Sequence, residues 1–291
     1  MLLQQLINGI SLGATYALIA LGYTMVYGII QLINFAHGEI FMAGAFAGLF
    51  MVVYFKMPLL PAMAVAMGIS VAIGVATEFI AYRPLRRSSR LSALISAIGV
   101  SIFLSTLALL VFGANAKGFP DSAFAVRQIR IFGAEISNLQ LLIISVSGAL
   151  MIALQLIVKK TRIGKAMRAV SEDYNAAALM GINVNLVISF TFAVGSALAA
   201  AGGLLVGLQF NAVSFNMGLM AGLKAFAAAV LGGIGSIPGA MLGGLLLGVA
   251  EVMGVAAGYS SYRDAIAFGI LILVLLFRPT GILGEKIQKK V

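Results

Sequence analysis

The chain has 291 residues, 62% of them apolar and only 10% charged, with a mean hydropathy of +1.09 and no cysteine. Soluble domains carry about 25% charged residues, so this composition describes an integral membrane protein, and the missing cysteine excludes disulfides, thiolate metal sites and a cysteine nucleophile. The formal charge of +10 does not point to nucleic acid, because 13 of the 19 basic residues are gathered in three short stretches between apolar runs.

In chain order, residues 1–30 contain no Asp, Glu, Lys or Arg, and without a basic n-region they read as a first mature helix over 5–30, not as a removed leader. A break is expected at 31–39, where Asn34, His37 and Glu39 interrupt the hydrocarbon, followed by helices at 40–55 and 60–81. The first basic group is Arg83, Arg86, Arg87 and Arg90; a helical pair at 92–113 and 139–158 separates it from the second, Lys159, Lys160, Arg162, Lys165 and Arg168. Between that pair, the loop 114–138 includes "VRQIRIFGAEIS", which predicts a small hairpin around Gly133-Ala134. Helices at 186–210, 217–234, 236–257 and 263–278 then lead to the third group, Arg278, Lys286, Lys289 and Lys290.

Basic loops face the cytoplasm, so all three groups lie on that side and an even number of crossings separates them. Two crossings with a re-entrant pair also satisfy the parity between the second and third groups. The fold class is an all-α polytopic bundle over residues 1–291 with eight or nine crossings, N-terminus outside and C-terminus inside. The apolar runs are continuous and lack the ~10-residue alternating segments of a membrane β-barrel. Glycine makes up 34 of the 291 residues, and many fall as G-x-x-x-G: Gly9/Gly13, Gly44/Gly48, Gly203/Gly207, Gly244/Gly248 and Gly254/Gly258. Such faces let helix backbones approach closely where lipid supplies no hydrophobic drive.

The inner loop 159–185 is too long for a simple connector. Ser171 is placed to cap a short helix at 172–180, Glu172 and Asp173 put negative charge in its first turn, and Gly181 suits the C′ position. Ala176, Ala177, Leu179 and Met180 give it a small apolar surface, shaped to dock on a soluble protein; the rival reading is a helix resting on lipid, whose polar face is usually basic.

Six charges interrupt apolar runs: Glu39, Glu78, Lys224, Glu251, Arg263 and Asp264. Each left unpaired at the bilayer centre costs at least ~2.5–3.5 kcal/mol. Glu78 and the Arg263-Asp264 pair read as interfacial anchors or local ion pairs, and Lys224 as able to snorkel outward. Glu251 falls inside its helix and is open to two readings, a structural pair with Lys224 or a transport role. The break at 31–39 and the stretch "GGIGSIPG" (232–239), with Gly232, Gly233 and Gly235, occupy similar places in the two halves. Paired breaks mark either cavity-lining discontinuous helices or ordinary turns.

Two enzyme signals are set aside. "GISLG" (9–13) matches G-x-S-x-G, but that elbow needs a strand-to-helix turn and here the glycines fit helix packing. His37 and Glu39, two apart on a helix, do not face each other, so His37 reads as structural. A single histidine also excludes H-E-x-x-H. Gly164-Lys165 lacks the spacing and following Ser/Thr of a phosphate loop, so no ATP site is carried by this chain.

The run "EDYNAAALMG" (172–181) resembles the E-A-A-x-x-x-G loop of bacterial ABC importer permeases, with Asp173 where the general motif has alanine. More specifically, "ATYALIALGYTMVYGIIQLINFAHGE", "AYRPLRRSSRLSALISAIGVSIFL", "GLKAFAAAVLGGIGSIPGAMLGG" and "LLFRPTGILG" are similar to the high-affinity branched-chain amino acid permeases of the LivH type. The resemblance implies a permease in the bacterial inner membrane that pairs with a homologous permease of the LivM type and two ATPase subunits. It further implies that a periplasmic amino-acid-binding protein delivers the substrate, ATP being used only by the partners. Carried over, Ser171, Glu172, Asp173, Ala176, Ala177 and Gly181 lie on the helix that couples the ATPases to the membrane. Asn34, His37, Glu39, Gly232, Gly233, Gly235 and Glu251 are candidates for the substrate path or its helix breaks. The alternative from another class is a secondary transporter driven by protons or sodium through Glu251, Glu39 and His37.

Overall fold

The computed structural model describes residues 2–86, 88–120, 126–131 and 134–284, without the side chains of Arg90 and Ile131. Eleven α-helices are present among them: α1 (Leu2–Ile30), α2 (His37–Val53), α3 (Leu59–Thr77), α4 (Arg90–Phe112), α5 (Asn138–Lys160), α6 (Arg162–Glu172), α7 (Tyr174–Leu179), α8 (Val184–Gln209), α9 (Met217–Gly232), α10 (Ile237–Ala256) and α11 (Arg263–Phe277). Strands β1 (Gln128–Ile131) and β2 (Ala134–Ser137) form the expected antiparallel hairpin, whose turn at Gly133 lies outside the described residues. Arg87 and the lysines at 286, 289 and 290 lie outside them too.

Seven helices are long and apolar enough to cross a membrane, and α2 and α9 are shorter apolar helices of 17 and 16 residues. Together they match the nine predicted segments, because in lipid a continuous apolar run can satisfy its backbone only by closing into a helix. The two inner helices are α1 and α8, buried along most of their lengths, while α4 and α11 are peripheral.

Glycine lets these helices interlock. Gly9 and Gly13 of α1 lie against the backbone of α10 at Val249 and Leu245, and Gly244 and Gly248 of α10 press back on Ala17 and Gly13. The two predicted G-x-x-x-G pairs thus face each other, so that "GISLG" is packing surface. Gly44 and Gly48 meet Ala200 and Leu204 of α8, and Gly203 meets Phe41 of α2. Gly258 departs from this pattern: it has φ +96° and ends the turn after α10, and nothing packs against it.

The short helices do not begin at a membrane surface. His37, the first residue of α2, fits against Gly22 of α1, where any side chain would collide with the imidazole. Gly22 lies eight residues before the end of α1, about 12 Å of helix, so residues 31–36 run back along α1 into the bundle. There Gly38 meets Gly218 and Gly222 at the start of α9. The counterpart of the 31–36 break is therefore the segment 210–216 that leads into α9. The predicted second break is a tight turn at 233–236, with Gly233 and Gly235 at φ +108° and +96°, covered by residues 281–284 through bonds from Ile282 and Leu283 N–H to the carbonyls of Leu231 and Gly232.

Candidate functional site

The loop 159–185 holds two helices where one was expected. Ile163, Met167 and Val170 recur at helical spacing inside the basic run, and α6 buries Met167 and Val170 against the bundle. Only Thr161 separates α5 from α6; its hydroxyl caps α6 by accepting from Gly164 N–H at 3.1 Å. Ser171 is not the cap of the second helix: it sits within α6 and donates to the Arg168 carbonyl at 2.7 Å, and Glu172 ends α6. Asp173 takes the capping role, its carboxylate accepting from Asn175 and Ala176 N–H at 2.8 and 2.9 Å. An ionised acceptor at this position holds the free N–H groups of α7 and faces the positive end of its dipole.

Gly181 occupies the C′ position at φ +82°, as predicted, and the chain turns back through Ile182 N–H to the Ala177 carbonyl. Ala177 is buried against the bundle, whereas Leu179 and Met180 are 88% and 82% exposed. The result is a stiff, capped projection carrying two large apolar side chains into water.

Asn34, His37 and Glu39 are all buried, at the point where α2 begins. They do not satisfy the interrupted backbone, which uses local bonds such as His37 N–H to the Asn34 carbonyl and Glu39 N–H to the Ala36 carbonyl. Asn34 Oδ1 instead accepts from the Tyr82 hydroxyl at 2.8 Å, and His37 lies edge-on to Tyr23 with ring centroids 4.8 Å apart. Glu39 Oε1 accepts from the Ser101 hydroxyl at 3.2 Å, while its Oε2 has no hydrogen-bond partner and lies against Gly218. Neither α2 nor α9 has a side-chain cap, and the Glu39 carboxyl group lies where these two helix starts converge. Between the 31–36 segment and the 233–236 turn lies a narrow cleft lined by Ile33, Ile234, Tyr23 and Phe226.

Glu251 is completely buried at the centre of a charge cluster. It accepts from Lys224 Nζ at 3.0 Å and the Tyr16 hydroxyl at 3.0 Å, and pairs with Arg263. Lys224 also reaches Asp264 at 2.6 Å. Two acids and two bases from α9, α10 and α11 therefore balance, with α1 contributing the tyrosine. Lys224 does not snorkel, because it is held between the buried Glu251 and the half-exposed Asp264, and leaving Glu251 would strand a buried anion.

The family model described as branched-chain amino acid transport system, permease component, matches residues 5–275. The chain belongs to this family. Among its relatives, the high-affinity branched-chain amino acid transport system permease protein BraD of Pseudomonas aeruginosa is 49% identical, covering 99% of this chain and 98% of its own. LivH of Escherichia coli K12, a permease of the same description, is 47% identical over 99% of this chain and 97% of its own. A metal-chelate type ABC transporter in an inward-facing conformation shares the fold, with a TM-score of 0.52 at 16% identity over 95% of this chain and 87% of that one.

The branched-chain permease carries one further polar link that the sequence placed only in part. Glu78 is buried in a five-residue π-helical turn (Glu78–Tyr82) at the C-terminal end of α3 and pairs with Arg86, as a local ion pair was expected to do. Its second oxygen accepts from the Ser189 hydroxyl at 2.7 Å, and Arg86 donates to Asn185 Oδ1 at 2.7 Å. Both partners are on the first turns of α8, immediately after α7. Nothing in their local sequence marks Asn185 or Ser189, since the link depends on α3 and α8 packing side by side.

Proposed function

We propose that this permease forms the substrate path of an ATP-driven importer that carries leucine, isoleucine and valine into the cytoplasm. It sits in the bacterial inner membrane with the N-terminus periplasmic and the C-terminus cytoplasmic, in keeping with the basic groups that flank the α3, α5 and α11 ends. A homologous LivM-type permease completes the membrane unit, two separate ATPase subunits bind its cytoplasmic face, and a periplasmic binding protein delivers the amino acid. The substrate is supported by what the close relatives are named to transport.

The observation that carries this reading is α7, a capped helix presenting Leu179 and Met180 to water beside the basic face. Closure of the ATPases pushes on α7. The push passes through α6 to α1 and through the start of α8 to Arg86, Glu78 and the π turn of α3; single π turns inside helices recur at functional sites. The candidate path runs past Asn34, His37 and Glu39, with Gly232, Gly233 and Gly235 as the inner pivot. Glu251 holds the outer ends of α9, α10 and α11 together while the other helices move.

Asp173→Ala tests the coupling role. Loss of a cap costs about 1 kcal/mol of local helix stability. Uptake of labelled leucine by proteoliposomes is expected to fall several-fold with the complex still assembled, and Asp173→Asn, which keeps an accepting oxygen, is expected to retain it. Equal uptake by the alanine and asparagine variants contradicts the role.

A further inference from the structure

At the end of the bundle opposite the basic groups, the outer ends of α2 and α4 and residues 117–118 line a half-open cavity of about 260 Å³. Its walls are apolar. Phe46, Phe50 and Val53 come from one face of α2, at spacings of four and three residues, and Phe112 of α4 stacks on Phe46 with centroids 4.1 Å apart. The volume lies below the roughly 300–1,000 Å³ of drug-sized pockets, which suits one small ligand and not a peptide.

One cation stands at its edge. Lys117 lines the cavity with Nζ 5.8 Å from the Phe112 ring centroid, and no acidic side chain among the described residues pairs with it. Its backbone is fixed to the loop before α9 by two bonds with Val213, each 2.8 Å, and the neighbouring Phe119 N–H is held by Asn211 at 2.7 Å. A half-open apolar cleft edged by a single cation, whose backbone is fixed in place, complements a molecule that is aliphatic at one end and anionic at the other.

We propose that this cavity receives the substrate on the outer side, the branched aliphatic side chain resting among Phe46, Phe50, Val53 and Phe112 and the α-carboxylate on Lys117. The assignment rests on the branched-chain reading for the identity of the ligand. Inward along the same face of α2, seven residues and about 10 Å from Phe46, Glu39 presents a carboxyl group with one oxygen unpartnered. The seam between α2 and α4 therefore leads from the Lys117 edge toward the unpartnered oxygen of Glu39.

The test is equilibrium binding of labelled leucine to the assembled complex in lipid nanodiscs, with the binding protein left out. Lys117 is exposed, so its substitution spares the fold, and complex yield checks this. Leucine is expected to bind saturably, 4-methylpentanoate to compete, and leucinol, which lacks the carboxylate, to compete at least tenfold less well. Lys117→Gln is expected to weaken leucine at least tenfold and Lys117→Arg to preserve binding. Leucinol competing as well as leucine, or unchanged binding by Lys117→Gln, overturns the proposal, as does a phospholipid that stays in the cavity at saturating leucine. If ATP-dependent leucine uptake persists in the wild type while these binding results fail, the cavity assignment alone falls. If leucine binds as described but uptake ignores ATP, the importer reading falls instead.

Discussion

Glu251→Leu is expected to destabilise the permease by roughly 3 kcal/mol, the low end of the range for breaking a buried ion pair, because Arg263, the charge left without its partner, is only partly buried. Lys224 keeps Asp264 at 2.6 Å, but Arg263 loses its carboxylate and the Tyr16 hydroxyl loses its acceptor. The measurement is the thermal unfolding midpoint of the detergent-solubilised complex. Combining Glu251→Leu with Lys224→Met removes one charge of each sign and leaves Arg263 free to pair with Asp264, so the double variant is expected to regain most of the loss. A single variant as stable as the wild type would show that the cluster does not hold α9, α10 and α11 together.

Leu179→Asp combined with Met180→Asp is expected to abolish uptake without unfolding the permease. Both side chains are more than four-fifths exposed, and polar substitutions at such positions usually change stability by less than about 0.5 kcal/mol. A central apolar contact at an interface is worth about 2 kcal/mol or more, so ATPase binding is expected to weaken at least ~30-fold. Copurification of the ATPase subunits with the tagged permease reads the first effect, and the unfolding midpoint of the permease reads the second. Undiminished copurification and uptake would place the ATPase contact elsewhere.

The helices were legible because charge is costly along a lipid crossing, and each of the nine predicted apolar segments became a helix within a few residues of its expected ends. Depth was not legible. Residues 31–39 and 232–239 look alike as glycine-rich or polar interruptions, yet the first is a re-entry that starts α2 beside Gly22 and the second a tight turn covered by residues 281–284. The true partner of the first, residues 210–216, lies between two apolar runs whose sequence carries no mark of where in the membrane α9 begins.

The coupling segment was half legible. Gly181 announces its αL position through the need for a positive φ, but Ser171 reads as the cap because the surrounding lysines and arginines mask the apolar periodicity of Ile163, Met167 and Val170. Once α6 extends to Glu172, Asp173 is the next residue able to cap. Polar partners distant in sequence, such as Glu78 with Ser189 or Glu39 with Ser101, follow from helix neighbours that no local pattern reveals.

Leucine uptake into proteoliposomes under two energy sources tests the central claim most directly. With both permeases, the ATPase subunits and the binding protein present, accumulation is expected only when ATP is supplied on the cytoplasmic side, and it is expected to vanish when the ATPase subunits are left out. Accumulation of leucine by this chain alone, driven by an imposed proton gradient, would contradict the assignment and favour an ion-coupled carrier.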